Sequence, residues 1–299
     1  MEFQIRTPGS TANLGPGFDA LGLALTLYNH VTVRTCEKPG FEASAEGEGQ
    51  HALATDETNL FYQSALFTAQ KIGKKLPGLR VHLNNKVPLS RGLGSSSTAI
   101  VAGAIAANHL FGSPLAQQDL LDLTTEKEGH PDNVSPCLLG GLTMSAVEGT
   151  HVACVRSLPP KNLQAVVAIP QFELKTSEAR NALPAHVPMK DAVYSISRAC
   201  LVTAALMTGQ FKHLATAMQD RLHQPYRAHL IPNFYEIIEA ALAAGALGAA
   251  LSGAGPTMMA LATENTQAVG QAMTAVWRQN NIPATYHVLS IDTGGAVIL

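Results

Sequence analysis

Charged residues are scarce in this sequence. Asp, Glu, Lys and Arg make up 14% of the 299 residues, whereas about 25% is usual. The formal net charge is −2 and no run of Lys or Arg occurs, which argues against a nucleic-acid or membrane-surface partner. Because charge is rare, each isolated charged residue within a glycine- and alanine-rich stretch is a candidate for function.

Cysteine is rare as well, and its spacing excludes the common uses of clustered thiols. The sequence has no CxxC pair and no zinc-like spacing, so we expect free thiols in a cytoplasmic protein. The amino-terminal residues lack the basic-then-apolar pattern of a signal peptide. Residues 240–262 carry no charge, but their glycines and Pro256 would break a spanning helix, and we expect short core elements there. The four cysteines are Cys36, Cys137, Cys154 and Cys200.

Apolar periodicity divides the chain into mixed strands and helices. Alternation from 79 to 87 predicts a strand that ends at Pro88, and residues 59–73 have the pattern of a helix capped by Asn59. The parallel βαβ rhythm is not sustained, which predicts an α+β fold. The other predicted elements are helices at 98–110, 117–129, 191–208, 233–244 and 266–280, a hairpin at 141–155, and strands at 163–169, 247–252, 257–262 and 285–291.

The Pro159–Pro160 pair is the best candidate for a junction between two lobes. A chain of 299 residues can form one large or two ordinary domains. We therefore expect an N-terminal domain at 1–158 and a C-terminal domain at 159–299.

The stretch PLSRGLGSSST, residues 88–98, joins a predicted strand to a predicted helix through glycines and hydroxyl residues. It lacks the lysine of a GxxxxGK[ST] loop, and Ser97 breaks a GxGxxG pattern. The free N–H groups and positive dipole end of the helix can nevertheless bind phosphate, and the serine hydroxyls can donate to it or ligate Mg²⁺. On this stretch alone, a phosphate loop and a plain helix N-cap with a flexible turn are equally supported.

Three glycine-rich stretches resemble the three motifs of the GHMP small-molecule kinases, a superfamily that includes galactokinase, mevalonate kinase and homoserine kinase. They are TPGSTANLGPGFDALGLAL (7–25), PLSRGLGSSST (88–98) and SGAGP (252–256). EGHPDNVSPCLLGGL (128–142), TSEAR (176–180) and QPYR (224–227) are similar to the homoserine kinase family in particular, and EGHPDN is the most specific of these. One departure is Ser97–Thr98, where many members have two alanines.

The resemblance implies a ribosomal-S5-domain-2-like N-terminal lobe and a ferredoxin-like C-terminal lobe, usually in a homodimer. It also implies phosphorylation of the side-chain hydroxyl of L-homoserine by ATP and Mg²⁺, which gives O-phospho-L-homoserine on the route to threonine. The ATP-binding residues would be Pro88, Leu89, Ser90, Arg91, Gly92, Leu93, Gly94, Ser95, Ser96, Ser97 and Thr98. The catalytic residues would be Asp132, Glu126 and Ser96, with Ser96 and Glu126 holding the metal. The substrate-binding residues would be Asn13, Asp19, His130, Asn133, Arg180 and Arg227.

The residue chemistry agrees with this substrate. Arg180 and Arg227 are suitable forks for a carboxylate, and Asp19 would be costly in its apolar segment without a bound ammonium. We expect Asp132 to orient the hydroxyl first and to act as a base second, because phosphoryl transfer depends mainly on positioning and charge neutralisation.

Structural roles remain open for the same residues. Asp19 would serve as a helix N-cap and the two arginines as solvated helix charges. Glu126 would pair with Lys127 or cap the end of its helix. His130 and Asp132 would belong to a helix start at Pro131. At the level of the whole protein, the alternatives are a GHMP kinase for another alcohol, such as a mevalonate-like or shikimate-like one, and a non-catalytic ligand-binding relative.

Overall fold

The computed structural model describes all 299 residues and contains two β-sheets with helices packed on them. The strands are β1 Glu2–Ala12, β2 Leu21–Cys36, β3 Phe41–Gly47, β4 Gly78–Asn85, β5 Leu142–Glu148, β6 His151–Ser157, β7 Gln164–Pro170, β8 Gly248–Leu251, β9 Met258–Ala262, β10 Ala284–Ser290 and β11 Val297–Ile298. The helices are α1 Leu60–Lys71, α2 Ser95–Leu110, α3 Gln117–Glu128, α4 Pro131–Leu139, α5 Thr176–Asn181, α6 Met189–Thr208, α7 Leu214–Ala217, α8 Gln224–Arg227, α9 Phe234–Ala243 and α10 Thr266–Gln279.

The first lobe is built on a seven-stranded sheet. Its order is β11-β1-β2-β4-β3, and β5 continues from β2 to β6. Only β3 and β4 are parallel, with α1 crossing between them. Helices α1 to α4 supply much of a 25-residue apolar core against this sheet, including the fully buried Phe61 and Val101. Burial of this apolar face is the main force that holds the lobe together.

The second lobe is an antiparallel four-stranded sheet in the order β10-β7-β9-β8. Numbered within the lobe, this is the 4-1-3-2 order of a ferredoxin-like fold, with α9 before the second strand and α10 before the fourth. The fully buried Trp277 of α10 anchors the helical layer and donates its indole N–H to the carbonyl of Pro232 at 2.9 Å. The ferredoxin-like prediction for this lobe is therefore confirmed.

The two lobes share a core. A 21-residue cluster joins Leu23 and Leu142 of the first lobe to Val167, Leu206 and Met259 of the second. The chain also returns after β10, and β11 pairs with β1 in the first sheet. No helix of the structure has both the length and the apolar composition needed to cross a membrane.

Most predicted elements lie where the periodicity placed them. Asn59 caps α1, its side-chain oxygen accepting from the backbone N–H of Phe61 at 3.0 Å. Helix α2 begins at Ser95, earlier than the predicted 98, because Gly94 in a left-handed conformation already turns the chain into the helix. Helix α4, which holds Asp132 and Asn133, begins at Pro131, where the sequence offered a helix start only as a structural alternative.

Candidate active site

The glycine-rich loop 88–98 packs against the SGAGP turn of the second lobe. Ser252 donates its hydroxyl to the Gly92 carbonyl at 2.6 Å. Gly92 has a φ of 72°, and a Cβ there would lie 2.2 Å from the Ser252 carbonyl oxygen. Gly94 has a φ of 71°, and a Cβ there would lie 2.2 Å from the Ser10 hydroxyl. Both glycines are therefore required by close approach of neighbouring segments as well as by backbone conformation.

Two cavities of similar size lie on either side of this loop. One measures about 320 Å³, and only one of its 17 lining residues is hydrophobic; we call it the polar cavity. The other measures about 340 Å³, and nine of its 17 lining residues are hydrophobic; we call it the apolar cavity. Ser90, Ser95 and Ser96 line both, so the loop forms the border between them.

All six predicted substrate-binding residues and Asp132 line the polar cavity. Among the predicted ATP-binding residues, Ser90, Arg91, Gly92, Gly94, Ser95 and Ser96 line the polar cavity, and Leu89 and Thr98 line the apolar one. Pro88, Leu93 and Ser97 line neither; Leu93 belongs to the shared core.

Asp19 and Arg180 form a bidentate ion pair across the polar cavity. The two Arg180 terminal nitrogens donate to the two Asp19 oxygens at 2.9 and 3.0 Å. This hydrogen bonding raises the pKa of Arg180. Asp19 lies in a turn just before β2, with a φ of 55°, and caps no helix. Its backbone N–H donates to the Asn13 side chain, which in turn donates to the Gly253 carbonyl of the second lobe.

Arg227 is buried without a carboxylate partner. Only 2% of it is exposed, and its Nε and Nη1 groups donate to the carbonyls of Ala179 and Gly253 at 3.1 and 3.3 Å. Burial, followed by the charge of Arg180, lowers the pKa of Arg227 to about 10. A buried guanidinium in this state favours an anion in the adjoining cavity.

Asp132, His130 and Asn133 lie together at the start of α4. His130 Nδ1 lies 2.5 Å from an Asp132 oxygen, and Asp132 is only 3% exposed. Burial is the largest single influence and lowers the pKa of His130, but the hydrogen bond to Asp132 and the charges of Asp132 and Glu128 together outweigh it, and the net pKa is raised. Asn133 accepts a hydrogen bond from the Ser10 hydroxyl at 2.9 Å. Pro131 does begin a helix, as the structural alternative held, yet these side chains still face the cavity.

The acidic residue beside the serines of the loop is Glu128, which corrects the expectation for Glu126. Glu128 accepts from the hydroxyls of Ser96 and Ser97 at 2.6 and 3.0 Å and lines the polar cavity. Glu126 is exposed and pairs with Lys71 at 3.1 Å. Two residues along a helix turn the side chain by about 200°, so the two glutamates point to opposite sides of α3.

Some residues of the site were not predicted. Besides Glu128, they include Phe18, whose ring lies 5.2 Å from the Arg227 guanidinium carbon, and His223, which stacks on Phe18 at 5.1 Å. The signal for His223 was its position four residues before Arg227, one helical turn away. The departure at Ser97–Thr98 is also explained, because Ser97 donates to Glu128 and Thr98 bonds Asn29 and the Ser95 carbonyl.

Comparison with known proteins identifies the family. The chain matches the models "GHMP kinases N terminal domain" over residues 59–141 and "GHMP kinases C terminal" over residues 203–279. It is 45% identical to a homoserine kinase of Microchaete diplosiphon, over 98% of this chain and 95% of the relative, and 44% identical to one of Carboxydothermus hydrogenoformans with the same coverage. The crystal structure of homoserine kinase from Cytophaga hutchinsonii is 33% identical, with a TM-score of 0.91 over 100% of this chain and 97% of that one. This chain therefore belongs to the homoserine kinase family of the GHMP kinases, enzymes that phosphorylate small molecules with ATP.

Proposed function

We propose that this protein phosphorylates the side-chain hydroxyl of L-homoserine with ATP, giving O-phospho-L-homoserine for threonine biosynthesis. The observation that carries this proposal is the charge pattern of the polar cavity. The cavity combines the Asp19 carboxylate, the buried Arg227 guanidinium, which has no carboxylate partner, and the Asp132 carboxylate near the glycine loop. Homoserine offers the complementary ammonium, carboxylate and hydroxyl.

Asp19 is the proposed partner of the ammonium, and Arg227 that of the carboxylate. Arg180 neutralises Asp19 in this structure. A substrate ammonium that bound Asp19 would replace the Arg180 guanidinium, and Arg180 could then turn to the substrate carboxylate. Mevalonate-like and shikimate-like alcohols carry no ammonium, so Asp19 would stay paired with Arg180, and Arg180 would not become available to the substrate carboxylate. The substrate ammonium thus favours homoserine over these alternatives.

Asp132 is proposed to orient the hydroxyl and to take its proton as the phosphoryl group is transferred. Its carboxylate is buried and held by His130, so a substrate hydroxyl in the cavity would meet a fixed acceptor. The intact acceptor also argues against a non-catalytic relative. Positioning of this kind accounts for most catalysis of phosphoryl transfer.

The nucleotide is proposed to extend across the loop, with its base in the apolar cavity and its phosphates on the backbone N–H groups at the start of α2. The hydroxyl of Ser96 and the carboxylate of Glu128, which meet at 2.6 Å, are hard oxygen ligands of the type Mg²⁺ prefers. These two residues would hold the metal, which would neutralise phosphate charge. Four free cysteines are consistent with the expected cytoplasmic location, and the homodimer stays a prediction.

The test is a panel of alcohols supplied with ATP and Mg²⁺, with ADP release and ³¹P NMR as the measurements. We expect a new phosphomonoester from homoserine and none from mevalonate or shikimate. Phosphorylation of another alcohol with no turnover of homoserine would contradict the proposal, and no ADP release with any alcohol would favour the non-catalytic alternative. Asp132→Asn is the matched control for contaminating kinases.

A further inference from the structure

A buried histidine lies directly behind the carboxylate-binding arginine. His223 has no solvent exposure, and its ring stacks on Phe18. Its Nε2 lies 2.7 Å from the Gly15 carbonyl oxygen, and its Nδ1 lies 3.2 Å from Arg227 Nη1. None of the roles assigned above uses this residue.

The partners of His223 determine its protonation state. A guanidinium can only donate, so Nδ1 must be the unprotonated acceptor of the Arg227 N–H. A carbonyl oxygen can only accept, so Nε2 must carry the proton. His223 is therefore the neutral Nε2–H tautomer, and burial lowers its pKa in the same direction.

The segment that carries His223 is fixed by a buried carboxylate. Asp220 accepts three backbone N–H groups, those of Leu222, His223 and Gln224, each at 2.8 Å. It also accepts the hydroxyl of Ser195 from α6 at 2.9 Å. The imidazole is thus held in place from the second lobe.

The contacts of Arg227 leave one nitrogen for a ligand. Its Nε–H is used by Ala179, and its two Nη1 hydrogens are used by His223 and Gly253. Nη2 has no partner in the protein, while the side chain lines the polar cavity. The orientation of the free Nη2 therefore depends on the acceptors that hold the other two nitrogens.

We propose that His223 is a positioning residue, which in its neutral form accepts from Arg227 Nη1 and so turns Nη2 toward the substrate carboxylate. This inference rests on the proposed function. It predicts that His223 acts on the binding of homoserine and leaves the binding of ATP unchanged.

Protonation of His223 would remove this acceptor. The groups that face the ring are the Gly15 carbonyl, Phe18, Asp220 at 3.6 Å and Arg227, with Asp19 beyond them. A proton on Nδ1 would oppose Arg227, so the guanidinium would have to move. Since the pKa of His223 is lowered from 6.5 and that of His130 is raised, the effect of His223 falls on the acid side of that value.

Two substitutions test the contributions of the two ring nitrogens separately. In His223→Asn the side-chain oxygen stands near the position of Nδ1 and can still accept from Arg227. In His223→Gln the amide N–H stands near Nε2 and keeps only the contact with Gly15. Both remove the stack on Phe18, so each is the control for the other. Steady-state kinetics with homoserine and ATP varied in turn, from pH 5 to 8, are the measurement, and thermal unfolding checks both folds.

We expect the KM for homoserine to rise about tenfold in His223→Gln, the effect of one hydrogen bond to a charged group, and to stay within about threefold of wild type in His223→Asn. In the wild type the KM for homoserine should rise as pH falls below 6.5, a rise that His223→Asn should lack, while the KM for ATP stays flat. Equal effects of the two substitutions, or a change in the KM for ATP, would overturn the proposal. If neither variant folds, ¹⁵N NMR of the wild-type His223 ring at pH 7 decides the tautomer, and a proton on Nδ1 would overturn the proposal. Wild-type turnover of homoserine tests the proposed function separately: its absence overturns both, whereas turnover with equal variants overturns the role of His223 alone.

Discussion

The two cavities share a loop and differ little in volume, yet they are built in different ways. The residues that line the apolar cavity all lie between positions 29 and 99, within the first lobe. The residues that line the polar cavity come from both lobes, from Asn13 to Ala254. The apolar cavity is thus a local product of one sheet and its helices. The polar cavity exists only where two lobes meet, and its charges are held by contacts between them.

The largest expected effect comes from Arg227→Leu, which removes a ligand-binding group from the polar cavity and leaves the apolar cavity unchanged. Homoserine binding should weaken by about 2–5 kcal/mol, because a buried guanidinium that pairs with a desolvated carboxylate is lost. The affinity for ATP should hardly change, since Arg227 lies outside the apolar cavity. Isothermal titration with homoserine and with ATP measures both.

Arg221→Leu is the control for this substitution, because Arg221 is exposed and pairs with Asp191 on the surface. An equal loss of affinity for homoserine and ATP in Arg227→Leu would mean that the arginine supports the fold and not the cavity.

Glu128→Gln tests the proposed metal ligand beside the loop that separates the two cavities, and Glu126→Gln is its matched control. We expect Glu128→Gln to raise the Mg²⁺ concentration needed for half-maximal activity by about tenfold, because a carboxylate ligand becomes a neutral amide. Glu126→Gln should leave it unchanged, since Glu126 pairs with Lys71 at the surface. A Mg²⁺ titration of kinase activity measures the difference. A larger shift for Glu126→Gln would restore the original assignment.

Leu53→Asp is the converse of Arg227→Leu, since Leu53 is a half-buried residue of the apolar cavity. The KM for ATP should rise about fivefold, which corresponds to losing part of the contribution of a buried leucine. The KM for homoserine should stay at the wild-type value. Val155→Asp, at an exposed position on β6, is the control. An effect on homoserine alone would place the nucleotide elsewhere.

The smallest effect concerns the pH dependence of stability. Burial lowers the pKa of His130, but its hydrogen bond to Asp132 and the charges of Asp132 and Glu128 together raise that pKa in the folded state. The protonated pair therefore stabilises the fold fully below the ordinary value of 6.5, and this contribution is lost as pH rises through the raised pKa. In urea unfolding, the stability of the wild type relative to His130→Gln should fall as pH rises across that range. A difference that grows with pH would contradict the assigned direction.

Local patterns predicted the parts of the fold that local forces decide. The cap at Asn59 and the start of α2 after Gly94 follow from side-chain capping and glycine conformation, and both are found near the expected positions. Glu126 was expected beside the loop and Glu128 lies there, because the outcome depends on which face of α3 meets the loop. Packing of α3 against α1 and α2 decides that face, and Lys71 of α1 pairs with Glu126.

Glycine is needed at position 94 because of packing between distant segments as well as because of its left-handed conformation. A Cβ at Gly94 would meet the Ser10 hydroxyl of β1 and approach Asn133 of α4 at 3.1 Å. Any larger residue at this position would therefore disturb the fold as well as the loop. Only the contact between distant strands and helices reveals this constraint.

By itself, the sequence determined the periodicity of the elements, the glycine-rich turns and most residue types of the site. These features depend on short-range sterics and on the functional group of each side chain. The tertiary structure alone decided the pairing of Asp19 with Arg180, the tautomer of His223 and the free nitrogen of Arg227. Asp19 and Arg180 lie far apart in the chain, as do His223 and its acceptor Gly15, and these hydrogen bonds form only after burial of the shared core brings the two lobes together.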